Sequence, residues 1–210
     1  MRLYLVRHGQ TSWNAQEKAQ GHTDICLDEE GLEQAQMLGS AFQGVTLDLV
    51  LSSDLQRARE TARPIASATN CRLETEPLLR ERGFGVWEGK SFAEFRKHLP
   101  QTDSLDEMFN FVTPGGESFA DVWERLQPVV QRLLETNQDL AVVTHGGTCA
   151  LLLAQLLRAD FGTSRSFRFG NAAIVELERK PDGYFTLLRY NDTSHLRSPV
   201  MSGGLEGTVR

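Results

Sequence analysis

The chain has 210 residues with 40% hydrophobic and 24% charged content, a globular balance with room for one sizeable domain or two small ones. Its 28 acidic residues against 22 basic ones leave a net charge of −6, which argues against a broad nucleic-acid surface but not against a small anion met by local arginines. The longest apolar run, Leu151 to Leu157, is far short of a membrane span. Cys26, Cys71 and Cys149 have no metal or redox spacing, and no leader precedes the strand at Leu3, so the expectation is free thiols in a cytoplasmic protein.

In chain order, strand and helix alternate. Arg2–Arg7 reads as a short buried strand, and Asp28 caps a helix carrying Leu32, Ala35, Leu38 and Phe42 at helical spacing. Leu47–Ser53 is a second strand, followed by "DLQRARETARPIASA", a helix that Pro64 bends or ends. Cys71–Glu76 is a third strand. Ser118 and Asp121 form a capping box ahead of a single long stripe from Phe119 to Leu133, bent at Pro128. "DLAVVTHGG" is a fourth strand ending in His145, with the buried helix "TCALLLAQLL" after it. Two final strands meet at the turn Pro181-Asp182-Gly183.

This alternation predicts an α/β fold, a three-layer α/β/α sandwich whose sheet is mainly parallel with an antiparallel edge strand. A single domain over residues 1–197 is expected, with a flexible Gly-rich tail over 198–210. Residues 90–116 interrupt the alternation; "SFAEFRKHLP" and "SLDEMFNFV" read as short helices of a lid or insertion over the site.

Ligands of open α/β sheets bind beyond the carboxyl ends of the strands. The first strand ends in Arg7 and His8, the second in Ser52-Ser53 with Arg57 one turn into the next helix, and the fourth in Thr144 and His145 followed by Gly146-Gly147. Two guanidinium forks suit a tetrahedral oxyanion, and Gly9, Gly146 and Gly147 would let backbone amides approach it. Two positive charges beside His8 disfavour its protonated form and leave it free to attack phosphorus. A carboxyl group is needed to protonate the leaving oxygen and then deprotonate water; Glu81, Glu88 and Glu117 are candidates, and spacing does not choose among them. "GFGVWEGKS" is out of register for a P-loop or a dinucleotide loop, and no histidine or carboxylate spacing suggests a metal.

Six segments occur in order: "LVRHGQTSWN", "QGHTDICLDEEG", "SSDLQRARET", "LRERGFGVWEG", "PGGES" and "VVTHGG". Together they resemble the histidine phosphatase superfamily, the phosphoglycerate mutase-like proteins, over most of the chain. The resemblance implies that His8 is the phosphorylated nucleophile and Glu81 the proton donor. It implies that Arg7, Asn14, Arg57 and His145 hold the phosphoryl group with the Gly146 amide, and that Gln20 and Gly21 line the substrate pocket. "FGVWEG" looks like the phosphatase branch, because the glycolytic mutases carry a longer, basic insertion, whereas Asp103, Asp106 and Glu107 make this one acidic, against Lys90, Arg96 and Lys97. "NDTSHL" is similar to the end of some broad-specificity members, which would bring His195 to the edge of the pocket.

The resulting expectation is a phosphatase that hydrolyses small phosphate monoesters through phosphohistidine, with no metal or organic cofactor, no nucleic-acid partner and no membrane. The alternatives are mutase-type phosphoryl transfer and an inactive phosphate-binding module. Oligomeric state is left open.

Overall fold

Alternate residues of the first strand enter different cores. In β1 (Arg2–Arg7), Leu3 and Leu5 pack on one face of the sheet while Tyr4 and Val6 pack on the other, so this strand is buried from both sides. The computed structural model describes residues 1–196; the expected tail, and the last residue of the expected domain, lie outside the described residues. The other strands are β2 (Leu49–Ser52), β3 (Arg72–Thr75), β4 (Leu140–Thr144), β5 (Ile174–Arg179) and β6 (Phe185–Asp192).

These form one sheet in the order β3-β2-β4-β1-β5-β6. The first four run parallel, and β5 runs antiparallel to both of its neighbours. The closing hairpin therefore supplies the antiparallel element, with β6 at the edge. It turns where expected, with Gly183 at φ +83° and its N–H donating to the Lys180 carbonyl at 2.9 Å.

The helices are α1 (Ser12–Ala15), α2 (Glu29–Ala41), α3 (Gln56–Thr69), α4 (Phe92–Arg96), α5 (Leu105–Asn110), α6 (Phe119–Arg125), α7 (Gln127–Glu135), α8 (Gly146–Leu156) and α9 (Phe161–Ser164). Leu38 of α2 and its C-cap Phe42, with Ala58, Ala62 and Ile65 of α3, cover one face of the sheet. Val122 of α6, Val129 and Leu133 of α7, and Leu151 to Leu153 of α8 cover the other. Three layers result, as the alternation predicts, and each fully buried leucine contributes roughly 1.5–3 kcal/mol through its removal from water.

The two prolines sit at different places in their helices. Helix α3 does not end at Pro64 but continues to Thr69, and the Pro64 ring packs into a notch of α2, where a Cβ built at Gly39 would lie 2.9 Å from it. Pro128 does not bend one long helix. It sits in the first turn of a second helix, where its missing N–H leaves no bond unmade, and Leu126 serves as the C-cap of α6 and the N-cap of α7. The caps at Asp28 and Ser118 form as expected.

The loop after β1 is pressed onto the start of α2. A Cβ at Gly9 would lie 2.6 Å from the Gly31 carbonyl oxygen, and one at Gly31 would lie 2.0 Å from that of Gln10. This back-to-back glycine contact decides where the chain goes after His8. Gly31→Ala should lower stability by about 1–3 kcal/mol through overpacking, even though alanine favours a helix interior by about 1 kcal/mol. A shift of the urea midpoint to lower concentration would show it; an unchanged or raised midpoint would mean the loop is free to move away.

Candidate active site

The carboxyl ends of β1, β2 and β4 open into a cleft of about 670 Å³ whose wall includes Arg7, His8, Asn14, Gln20, Gly21, Arg57, Glu81 and Gly146. His8 is held from three directions. Its N–H donates to the Thr144 carbonyl at 2.9 Å, and its carbonyl accepts from Ala172 N–H and Asn171 Nδ2, both at 3.2 Å. The ring Nδ1 lies 2.7 Å from the Gly9 carbonyl, which can only accept, so Nδ1 carries the proton. That leaves the Nε2 lone pair as the available nucleophile. Burial, then Arg57, then Arg7 push the His8 pKa well below its ordinary value, so the imidazole is neutral.

Arg57 is fully buried in the first turn of α3. Its Nη2 donates to the Gly21 carbonyl at 2.8 Å, Nη1 to the Thr23 carbonyl at 2.9 Å, and Nε to His145 Nδ1 at 3.2 Å. Burial lowers its pKa to about 10, which leaves it charged at neutral pH. Because His145 Nδ1 accepts from Arg57, its Nε2 is the protonated nitrogen and donates to Ser53 Oγ at 2.9 Å. His145 is neutral for the same reasons as His8: burial first, then Arg57. The two imidazoles stand 5.1 Å apart between centroids.

The structure brings His8, Arg7, Arg57 and His145 together from distant parts of the chain, but it does not give His145 a place on the cleft wall. Both of its nitrogens are committed behind His8. Arg7 donates from Nη1 to the Phe169 carbonyl at 2.6 Å. Its buried Nε has no partner among the described residues and lies 3.5 Å from where a Gly146 Cβ would be. Asn14 anchors its Oδ1 on Thr11 N–H at 3.1 Å inside a capping box. Gln20 is buried, with an unpartnered Oε1. Gly21, at φ +55°, has no space for a side chain, since a Cβ would overlap Glu88 at 2.1 Å.

Geometry separates the three candidate carboxylates. Glu88 accepts from the backbone N–H groups of His22, Thr23 and Phe84 and from the Thr23 hydroxyl. Glu117 accepts from Gly83 N–H and Arg125. Burial opposes its ionisation, but the hydrogen bonds from His22 and Arg125 prevail and hold its carboxyl at about 2. Neither residue lines the cleft, whereas Glu81 does. Glu81 accepts from Gly147 N–H at 3.0 Å and Thr148 N–H at 3.2 Å, capping α8 where the N-cap side chain makes no such bond. Thr148 Oγ1 donates to the Arg80 carbonyl at 2.8 Å and Arg125 Nη2 to the Glu81 carbonyl at 2.9 Å, fixing the loop that carries Glu81.

Several expectations need correction. Gly9 does not offer its amide to an anion; its N–H donates to Thr61 Oγ1 at 2.9 Å, and the glycine serves the contact with Gly31. The Gly147 amide is likewise taken, by Glu81. His195 lines a separate small cavity with Tyr4, Phe42, Arg189 and Asp192, because the segment after β6 turns back over α2. Of the lid cations only Arg96 reaches the cleft, and Lys90 stacks on Trp87 at 4.9 Å. Ser53, at the strand end the sequence pointed to, supports His145, whereas Thr61, Asn171 and the cations Lys18, Arg165 and Arg168 belong to the site or its supports without any local signal in the sequence. Among the described residues no cluster of three or more histidine, cysteine, aspartate or glutamate side chains is placed to hold a metal ion.

Comparison with known proteins is consistent with this arrangement. A sequence profile of the histidine phosphatase superfamily (branch 1) matches residues 3–193. The chain is 35% identical to the adenosylcobalamin/alpha-ribazole phosphatase of Escherichia coli over 75% of this chain and 79% of the relative. It is 29% identical to the probable phosphoglycerate mutase GpmB of Erwinia tasmaniensis over 96% of this chain and 97% of that one. Among solved structures, the alpha-ribazole phosphatase of Shigella flexneri superposes with a TM-score of 0.80 at 30% identity, covering 91% of this chain and 96% of the other. A mycobacterial glucosyl-3-phosphoglycerate phosphatase in complex with VO3 gives 0.79 at 30% identity, covering 90% and 98%. No helix among the described residues is long and apolar enough to cross a membrane. The chain belongs to the histidine phosphatase superfamily.

Proposed function

We propose that the protein is a phosphatase acting on small phosphate monoesters through a phosphohistidine intermediate. The observation that carries this reading is the pinned tautomer of His8: a neutral ring with Nδ1–H held by the Gly9 carbonyl and Nε2 left free, beside two guanidiniums. The Nε2 lone pair attacks phosphorus as the ester P–O bond breaks, and the Glu81 carboxyl gives its proton to the departing oxygen. Water then loses a proton to Glu81 and attacks phosphorus. The P–N bond breaks, its electron pair returns to Nε2, and inorganic phosphate leaves. Arg7 and Arg57 stabilise the charge on the equatorial oxygens in both steps. His145 is the positioning partner that orients Arg57 and keeps a neutral ring against His8.

The proposed organisation remains one domain over 1–197 with a lid at 90–116. Three free thiols, Cys26, Cys71 and Cys149, support a cytoplasmic location. Mutase-type transfer is the second reading, favoured by Lys18, Arg165 and Arg168 on the cleft wall, cations that do not come from the acidic lid. A mutase would need a bisphosphorylated primer and release little free phosphate.

His8→Ala should retain the fold and lose more than ~1,000-fold in turnover of 4-nitrophenyl phosphate, with no labelled phosphoenzyme on acid-avoiding, alkaline quench. Near-normal turnover by that variant would eliminate the mechanism. Glu81→Gln should lose roughly 10²–10⁴-fold on an alkyl phosphate but much less on 4-nitrophenyl phosphate, whose leaving group scarcely needs a proton; equal losses on both esters would remove Glu81 from that role.

The neutral histidines also set a pH dependence. In the unfolded chain an imidazole takes a proton near pH 6.5. His8 and His145 resist protonation in the folded state, so in acid the unfolded state binds more protons. Stability is then full above about pH 6.5 and falls below it, by up to about 1.4 kcal/mol per pH unit for each histidine. Urea unfolding between pH 7.5 and 5 should show this slope, reduced but not abolished in His8→Ala because His145, and His195 with a pKa also lowered by burial, still contribute; a flat profile would mean that the rings are protonated in the folded protein.

A further inference from the structure

His22 stands between the two residues whose carbonyls hold Arg57, and its own ring stays off the cleft wall. The peptide joining Gly21 to His22 is gripped at both ends. Its oxygen accepts from Arg57 Nη2 at 2.8 Å, and its N–H donates to Glu88 Oε1 at 3.0 Å. The His22 side chain reaches a different segment of the chain. Nε2 lies 2.9 Å from the Glu81 carbonyl oxygen and 3.3 Å from Glu117 Oε2. A carbonyl and a carboxylate can only accept, so Nε2 carries a proton. The hydrogen bond to Glu117 raises the pKa of the ring, and the neutral Nε2–H tautomer makes the same bonds, so the donor persists in either charge state.

The peptide that receives this bond is the one that grips the Glu81 carboxylate. A peptide is planar, so fixing its oxygen also fixes the direction of its N–H. In the peptide joining Glu81 to Arg82, the oxygen accepts from His22, and the Arg82 N–H donates to Glu81 Oε1 at 2.9 Å. Arg125 Nη2 bonds the same oxygen at 2.9 Å but is shared with the Arg80 carbonyl at 2.8 Å and Glu117 Oε2 at 3.2 Å. The two donors also come from different places. Arg125 ties the Glu81 peptide to helix α6, whereas His22 ties it to the loop that holds Arg57. The His22 ring lies over Gly83, with Cε1 3.6 Å from where a Cβ of that glycine would be.

We infer that His22 is a positioning residue: its side-chain bond sets the Glu81–Arg82 peptide against the loop that cradles Arg57, so that the proton-donating carboxyl and the anion-binding guanidinium keep one fixed separation, a role that rests on the phosphatase reading for the task of each group. Misplacing a reacting group by about 1 Å costs up to ~100-fold in rate. Without the His22 donor the carboxyl still has the Gly147 and Thr148 amides, and its peptide still has Arg125, so the loss is smaller and the fold is kept.

The test uses His22→Gln, which keeps an N–H donor near the Nε2 position, and His22→Met, which has similar length and no donor. Two quantities are read: the ratio of kcat/KM for ethyl phosphate to that for 4-nitrophenyl phosphate, and the calorimetric Kd of inorganic phosphate. In His22→Met the ratio should fall about tenfold, because only the alkyl leaving group needs the Glu81 proton, and the Kd should rise about threefold as the Arg57 cradle loosens. In His22→Gln both should return most of the way to native values. A general loosening of the fold would slow both esters alike. A ratio unmoved in His22→Met, or a His22→Gln no better than His22→Met, therefore overturns the positioning role and leaves the phosphatase reading intact. If His22→Met does not fold, His22→Ala with and without added imidazole makes the same comparison. Absence of turnover of either ester by the native protein removes the phosphatase reading, and phosphate binding then decides: weaker in His22→Met and restored in His22→Gln upholds the link from His22 to Arg57, and equal binding in all three overturns it.

Discussion

The buried guanidinium of Arg57 is the constraint around which the site is arranged. A charge sealed from water costs several kcal/mol unless its hydrogen bonds are met. Arg57 meets them with the carbonyls of Gly21 and Thr23 and the ring of His145, all of them neutral acceptors. Its positive charge is solvated by dipoles and left without a directly bonded carboxylate. Two consequences follow. The neighbouring imidazoles must be neutral, and the cleft retains a surplus of positive charge that an anion can satisfy. A carboxylate bonded to Arg57 would have made a more ordinary buried pair and left less positive charge for an anion.

The loops around this guanidinium are held by side chains acting as clamps on the backbone. Glu88 gathers the N–H groups of His22, Thr23 and Phe84, Glu117 takes that of Gly83, and Arg125 reaches the carbonyls of Leu78, Arg80 and Glu81. The carbonyls that solvate Arg57 are therefore positioned by glutamates far from it in sequence. Glu81 differs from the other two in facing the cleft while capping α8, so the helix that follows His145 and the proposed acid are set by one interaction. The same caps that complete the fold place the groups proposed for chemistry.

The relatives divide by name into phosphatases and a probable mutase, while one superfamily profile spans nearly the whole of this chain. In this chain the cleft wall also takes cations from Lys18, from Arg96 and from the α9–β5 connection, and it is more basic than the acidic sequence of residues 90–116 alone implies. Judging mutase against phosphatase by lid composition misses cations supplied by other segments.

Much of the architecture was legible in the chain itself, because burial on two faces, helical stripes, caps and turns are written in residues a few positions apart. Strands ending in Arg7-His8, Ser52-Ser53 and Thr144-His145 pointed to a common sheet edge for the same reason. Tertiary structure decided the rest. The ring of Pro64, carried within a helix, packs where Gly39 of another helix makes room for it, while Pro128 sits in the first turn of a new helix. Gly9 follows His8 to pass Gly31. Glu81, Glu88 and Glu117 are chemically alike in sequence and are distinguished only by the partners each meets. Asn171, Thr61 and Arg165 reach the site across long separations in the chain. Local pattern records what a residue needs from its immediate backbone and from burial; which atom answers a given donor or charge depends on through-space packing, and no spacing rule in one sequence encodes it.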